Sequence, residues 1–309
     1  MSRTVLRETF GGPEVLEVRR IAEPHAGPGE VRIAVRAAGL NPLDWQIAST
    51  PELAAMFGVA VPNGFGCDLA GVVDEVGSGA AGFAVGDRVY GGALAKAIAD
   101  YVVMKAPVAP PDVLIHIPDG ITYDVAAALP TPGLTAVAAL EAISPGPSDT
   151  VLIGGAAGGV GVLAVQLAKL AGARVVGTVS PGTFDFLRRL GAEPVAYGTG
   201  LADRVRALAP HGLTAAMDLF GTETAETALT LGVRPERIST VAAGPNPGGG
   251  VRATGAHAAG PDALKRITDA ILAGAITVPI AASFPIEQIR HAVTLQVGRH
   301  VHGKIVIAL

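Results

Sequence analysis

The residues best suited by type and spacing to chemistry are Ala156, Gly158 and Gly161, inside the run Val151-Leu-Ile-Gly-Gly-Ala-Ala-Gly-Gly-Val-Gly-Val-Leu-Ala-Val-Gln-Leu-Ala-Lys169. They occupy the three positions of a dinucleotide-binding fingerprint, with Ala156 in place of the first glycine. The three positions serve, in order, a tight turn, close approach of backbone to a pyrophosphate, and close packing of helix on strand. Val151 to Ile153 has the length of a buried parallel strand, and the apolar run from Gly161 reads as a helix. The start of that helix, with Gly159 and Val160 before it, is expected to turn unpaired N–H groups and a positive dipole end toward phosphate. A membrane span would show the same hydropathy. Five glycines in the window, each costing ~1 kcal/mol against Ala in a helix, cluster at one end where a turn wants them, so no membrane association is expected.

The second β-branched run, Arg174 to Ser180, completes a strand–turn–helix–strand unit. An NAD site wants Asp or Glu at the end of this strand, about twenty residues past the turn. Here the strand ends Gly177-Thr-Val-Ser180, with no acid before Asp185. A carboxylate there would repel a 2′-phosphate, whereas Ser180 can hydrogen-bond it, so NADPH is the expected cofactor. Arg188 and Arg189 follow closely, and binding the phosphate or standing solvated on a helix are equally open readings for them.

Composition narrows the alternatives. The chain has 309 residues, enough for two domains with separate cores. A formal charge of −4 with no basic tract argues against nucleic acid or an anionic membrane as partner. The first twenty residues carry Arg3, Arg7 and Glu8 but no apolar core of a signal peptide, which fits a cytoplasmic protein. A single cysteine, Cys67, excludes an internal disulfide and any cysteine-cluster metal site.

Around these residues the elements change character along the chain. Residues 1 to about 120 read as antiparallel strands: Val31–Arg36 alternates with period two as a half-buried strand, and Leu69–Val76, Asp87–Tyr90 and Tyr101–Met104 continue the pattern. Glycines between them suit the corners of a small barrel, and no helix longer than Leu53–Phe57 is expected there. From Ile121 helices and strands alternate, which predicts a doubly wound parallel sheet with helices on both faces. Its later members are helices at Thr183–Leu190, Leu201–Leu208, Glu223–Leu231 and Pro261–Ala273, and strands at Pro194–Tyr197, Ala215–Leu219, Ile238–Ala242 and Val251–Thr254. Lys304-Ile-Val-Ile-Ala is strand-like again and is read as returning to the first domain.

Taken in order, these segments resemble the medium-chain dehydrogenase/reductase superfamily, in its zinc-free quinone oxidoreductase (zeta-crystallin-like) branch. The likeness is carried by Gly39-Leu-Asn-Pro-Leu-Asp-Trp, Gly66-Cys-Asp-Leu-Ala-Gly-Val-Val-Asp-Glu-Val-Gly, Gly86-Asp-Arg-Val, Ala126-Ala-Ala-Leu-Pro and Gly133-Leu-Thr-Ala. Beyond the fingerprint, Leu187-Arg-Arg-Leu-Gly-Ala and Gly303-Lys-Ile-Val extend it nearly end to end. The resemblance implies an α/β protein: a GroES-like β-barrel domain at residues 1–121 and 277–309, a Rossmann domain at 122–276, and an active site in the cleft between them. It also implies NADPH-dependent reduction of a quinone or of an activated C=C bond in an enone or enal, and a homodimer joined through the sheet edge near Val251-Arg-Ala-Thr-Gly.

Residue by residue, the resemblance sets further expectations. Zinc-dependent relatives have Cys where Asn41 stands and His-Glu where Cys67-Asp68 stands, so no metal is expected; His300-x-His302 is read as two solvated histidines. Asn41 is expected to face the nicotinamide and hydrogen-bond a substrate carbonyl, or else to be a turn residue before Pro42. Asp44 either orients a neighbouring polar group or serves as a structural partner; together Asn41 and Asp44 are the expected catalytic pair. Thr135, Ala156, Gly158, Gly159, Val160, Gly161, Ser180, Gly244 and Lys304 are the expected cofactor-binding residues. Gln46 stands where many relatives have Lys, Thr183 where they often have Lys, and no tyrosine lies in Asn41–Gln46 or Gly66–Asp68, so water or the cofactor ribose hydroxyl is left to supply the proton. These departures keep a second reading open, in which the fold is retained as a small-molecule binding protein or non-redox enzyme.

Overall fold

The computed structural model describes residues 1–309 and divides into two units, Met1–Thr131 with Ile280–Leu309, and Pro132–Pro279. The first begins with strands β1 (Ser2–Arg7), β2 (Glu17–Ile21) and β3 (Glu30–Leu40). Helices α1 (Pro42–Ser49) and α2 (Pro51–Met56) follow, then β4 (Asn63–Gly64), β5 (Asp68–Val76), β6 (Arg88–Gly92), β7 (Tyr101–Lys105), β8 (Val113–His116) and helix α3 (Tyr123–Ala127). Helix α4 (Pro130–Ile143) begins in the last two residues of this segment and runs on as the start of the second unit, which continues β9 (Thr150–Gly154), α5 (Gly161–Leu170), β10 (Arg174–Val179), α6 (Phe184–Arg189) and β11 (Glu193–Ala196). It ends with α7 (Leu201–Leu208), β12 (Ala215–Asp218), α8 (Glu223–Thr230), β13 (Ile238–Thr240), β14 (Arg252–Ala253) and α9 (Ala263–Leu272). The chain returns to the first unit with β15 (Ile280–Pro285), α10 (Ile289–Val297) and β16 (Lys304–Ala308).

The unit boundaries fall at 131/132 and 279/280 rather than at 121/122 and 276/277. Helix α3 accounts for the first shift. It packs on β3, β5 and β6, and its approach is so close that a Cβ on Gly39 would lie 2.1 Å from the Ala127 carbonyl oxygen. Helix α1 departs from the all-strand expectation for this region. Its start carries Pro42 at the first helical position and Asp44 two residues on, whose carboxylate accepts from the Asn41 N–H at 2.7 Å.

In the first unit β3 is the central strand of a seven-stranded sheet, with β5 along one edge and, on the other, β7 beside its first half and β16 beside its end. The expected half-burial of Val31–Arg36 gives way to burial of most of β3, because both faces are covered. Even Arg32 is buried, its guanidinium forked on Asp74 at 2.9 and 3.0 Å and lying 4.6 Å from the Tyr101 ring centre. The register sets Gly39 opposite Asp68 and Leu40 opposite Ile305.

The second unit is a six-stranded, all-parallel sheet in the order β11-β10-β9-β12-β13-β14. The order reverses between β9 and β12, the switch point at which doubly wound sheets bind ligands. Gln166, the buried polar residue of helix α5, is satisfied inside this unit: its amide donates to Val162 O and Thr277 O and accepts from Thr277 N.

Candidate active site

In the second unit the fingerprint forms the turn between β9 and α5. Gly155 has φ +66°, and Gly158 N donates back to Gly155 O at 3.0 Å. A Cβ on Gly161 would lie 2.2 Å from Gly155 O and 2.6 Å from Ala156 C, so the helix can start this close to the turn only on glycine. Gly177 lets β10 pass as closely: its Cβ would meet Ala156 Cβ at 2.8 Å and Leu187 Cδ2 at 2.6 Å. Gly158 differs. A Cβ there would touch only Gly155 O, at an ordinary 3.4 Å, so nothing in the protein itself demands glycine. The amides of Ala157, Gly159 and Val160 donate to no backbone carbonyl. A turn with amides to spare, a glycine needed only for what approaches from outside, and a helix N-terminus fit the pyrophosphate of a dinucleotide.

Beside it, β10 ends at Val179 with Ser180 next, and the Ser180 and Thr183 hydroxyls lie 2.8 Å apart. Asp185 is well exposed and paired with Arg188 at 2.7 Å. Of the other expected cofactor residues, Thr135 is buried in α4, while Gly244 is exposed in the loop after β13 with φ +76°.

In the first unit the sheet register assembles a second set of residues. The end of β3, the start of β5 and the start of β16 bring Asn41, Asp68 and Lys304 together, all at most 3% exposed. Lys304 Nζ donates to Leu40 O at 2.9 Å and to Asn41 Oδ1. Asn41 Nδ2 donates to Asp68 Oδ2 at 2.8 Å, and Asp68 Oδ1 accepts from the Thr131 hydroxyl at 2.6 Å. Thr131 N adds a bond to the same carboxylate at 3.1 Å. Asp44 accepts the Asn41 N–H on Oδ2, and the Cys67 thiol lies beside its carboxylate.

Electrostatics here are those of charges withdrawn from water. Burial pushes Asp44 up to about 7; the Cys67 thiol, the Asn41 N–H and Lys304 oppose the shift, and Asp68 adds to it. Burial raises Asp68 as well, against Lys304 and its Thr131 and Asn41 donors. Burial lowers Lys304, opposed by the nearby acids. The Cys67 thiol is pushed well above its usual range by burial and by Asp44, so it stays protonated and is no nucleophile.

The structure brings Asn41, Asp44 and Lys304 together, with Asp44 as the structural partner of the Asn41 backbone. The Asn41 side chain is taken up by Lys304 and Asp68, and its backbone serves as the turn before Pro42. Lys304, expected to bind cofactor, has its ammonium committed inside the first unit. Asp68 and Thr131 join the site without having been singled out, although the Asp68 position is one that zinc relatives use for a ligand. His300 and His302 precede β16 in a loop, with His302 exposed, and no group of three or more His, Cys, Asp or Glu is arranged to hold a metal.

Comparison with known proteins accords with both halves. The family model for the alcohol dehydrogenase GroES-like domain matches residues 27–119, and that for the zinc-binding dehydrogenase domain matches residues 159–259. The chain belongs to the medium-chain dehydrogenase/reductase superfamily, in its zinc-free quinone oxidoreductase branch. It is 38% identical to a quinone oxidoreductase of Pseudomonas aeruginosa over 182 residues, 58% of this chain and 53% of that one. The chain spans about half the length of the curated relatives it matches. Among solved structures, the quinone oxidoreductase of Coxiella burnetii matches with a TM-score of 0.87 at 28% identity, covering 100% of this chain and 99% of the other. A mycobacterial protein solved in complex with NADPH matches with a TM-score of 0.85 at 27% identity, covering 100% of both chains. No helix is long and apolar enough to cross a membrane.

Proposed function

We propose that this protein is an NADPH-dependent reductase of quinones or of the conjugated C=C bond of enones and enals. The observation that carries the reading is the turn at Gly158, open to an incoming phosphate at the switch point of the sheet, next to a strand end without an acid. The amides of Ala157, Gly159 and Val160 hold the pyrophosphate, and the Ser180 hydroxyl, steadied by the buried Thr183, holds the 2′-phosphate. Thr135 and Gly244 complete the cofactor site. NADPH, when bound, supplies a hydride to an electron-poor carbon.

The chain's own part is positioning. The buried Lys304–Asn41–Asp68–Thr131 chain fixes the end of β3 in one conformation. Asp44 fixes the start of α1 through the Asn41 N–H. The two-residue, exposed edge strand β14 is the surface through which a homodimer is built, since an open sheet edge is satisfied by its twin across a twofold axis. A cytoplasmic setting fits the one free, buried cysteine.

Fluorescence titration with NADPH, followed by absorbance assays on a panel of small quinones and enones, tests the reading. Tight NADPH binding with turnover on at least one member is expected. NADPH bound but never consumed would remove the reductase reading, and absence of binding would remove the cofactor site with it.

A further inference from the structure

Arg7 closes strand β1 with a side chain that is 1% exposed, yet no carboxylate pairs with it. Both terminal nitrogens, Nη1 and Nη2, are buried without a hydrogen-bond partner. The Phe10 ring, 5.0 Å from the guanidinium carbon, covers one face but accepts no N–H in the plane. A buried cation with unfilled donors is among the most costly groups a protein can hold, and native structures almost always supply an acceptor. Across the same small cavity lies a complementary orphan, Asp44 Oδ1, buried and without a partner.

The cavity is ≈ 10 Å³ and is lined by Arg7, Asp44, Phe65, Gly66, Cys67 and Ala95. That is the room one water needs, about 10–15 Å³. A phosphate or carboxylate is too large. A halide would accept from Arg7 but would face a carboxyl oxygen and give it no proton. Water alone does both, accepting from the guanidinium and donating to Oδ1. Ala95 holds φ +56°, an unusual backbone for a residue with a Cβ, and so keeps that wall of the cavity in a strained conformation.

We propose that Arg7 and Asp44 share one structural water, a bridge that ties β1 to the start of α1. Arg7 is thereby a positioning residue: it acts on Asp44, and through the Asn41 N–H that Asp44 accepts, on the residue that Lys304 and Asp68 hold. The groups facing Asp44 are Arg7 from β1, Cys67 and Asp68 at the entry to β5, Lys304 from β16 and the Asn41 N–H on its own turn. Arg7 is the only one of these charges joined to it through water, so removing Arg7 changes the Asp44 titration while leaving the other groups in place.

Two measurements on the full-length protein test this, and neither needs turnover. Carbon-13 NMR of the aspartate carboxyls follows the Asp44 midpoint in wild type and in Arg7→Met. The midpoint is expected to rise by about one pH unit or more in Arg7→Met, the usual effect of losing an opposite charge at short range. Arg7→Lys, which keeps the charge, is expected to restore most of the shift; if Arg7→Met does not fold, Arg7→Gln replaces it. A high-resolution crystal structure, with a bromide-soaked twin, is expected to show one water within hydrogen-bond distance of both Arg7 and Asp44. An unchanged Asp44 titration, no density in the cavity, or an anomalous bromide peak there would each overturn the proposal.

Discussion

Lys304 and Asp68, opposite charges buried side by side, meet through the Asn41 amide rather than directly: the ammonium donates to Oδ1, and Nδ2 donates to the carboxylate at 2.8 Å. This fixes the amide's orientation on chemical grounds, since an ammonium needs the oxygen and a carboxylate needs the NH₂. It also makes three residues on three strands or their ends one electrostatic unit, in which each member satisfies the next.

Removing one member should therefore cost more than the contact it makes. Lys304→Met leaves Asn41 Oδ1 without its donor, Leu40 O with the Gln296 amide alone, and Asp68 without its balancing charge. Denaturant unfolding is expected to show a loss of roughly 3–5 kcal/mol, the range for breaking a buried charge network by removing one partner. Asp68→Asn added to Lys304→Met should cost far less than the two single losses combined. Strict additivity would mean that the two charges do not communicate through the amide.

Asp44 gives a pH prediction with a definite sign. Its folded midpoint of about 7 lies above its ordinary 3.8, so between those values the unfolded chain has released a proton that the folded chain keeps. Raising pH through that window therefore favours unfolding: the stability Asp44 contributes is full below about pH 4 and is lost as pH climbs to about 7. The gap of about three pH units bounds the effect at roughly 4 kcal/mol. Asp44→Asn keeps the shape but cannot ionise. The wild-type minus mutant difference in unfolding free energy should fall across this window, and a flat difference would place the Asp44 midpoint in the ordinary carboxylate range.

How much of this was legible in the sequence depended on whether the signal was local. The β9–α5–β10 unit has the glycine spacing and apolar runs that short-range rules read well, and its elements lie within a few residues of expectation. Helix α1 carries a signal too, Asn41-Pro-Leu-Asp44 with proline at the first helical position, but the strand before it and the glycines around it favour β on local pattern alone. The Lys304–Asn41–Asp68 contact was illegible for a different reason. It joins residues 263 and 27 positions apart through strand register, which no local pattern encodes. Arg7 is simply a charged residue on a strand until its burial in β1 is known.

Gly158 and Gly161 should separate cofactor binding from folding. Gly161→Ala drives a Cβ to 2.2 Å from Gly155 O, a backbone atom that cannot swing aside, so a thermal or denaturant midpoint should report a loss of about 1–3 kcal/mol. Gly158→Val meets only one protein atom, at 3.4 Å for its Cβ, and should unfold close to wild type. Its effect should appear in the NADPH titration, where the side chain occupies the approach to the turn. A destabilised Gly158→Val with normal NADPH affinity would reverse these roles and remove Gly158 from the cofactor site.

Cofactor choice can be tested at the end of β10. Ser180 and Thr183 hydrogen-bond each other at 2.8 Å, and no carboxylate stands near enough in sequence to take the ribose hydroxyls of NADH. Ser180, the more exposed of the two, can turn its proton to a 2′-phosphate while the buried Thr183 hydroxyl keeps it in place. Ser180→Asp introduces a negative charge where we propose that the 2′-phosphate binds, and supplies the acceptor that NADH recognition uses. Like charges at that spacing should weaken NADPH by about tenfold or more, equivalent to ~1.4 kcal/mol, while NADH affinity holds or improves. Fluorescence titration of both cofactors against wild type and variant measures the ratio directly, and raising the salt concentration should narrow the NADPH difference because the repulsion is partly screened. If wild type binds NADH as tightly as NADPH, or if the aspartate leaves the ratio unchanged, the 2′-phosphate is held elsewhere and Ser180 has no part in choosing the cofactor.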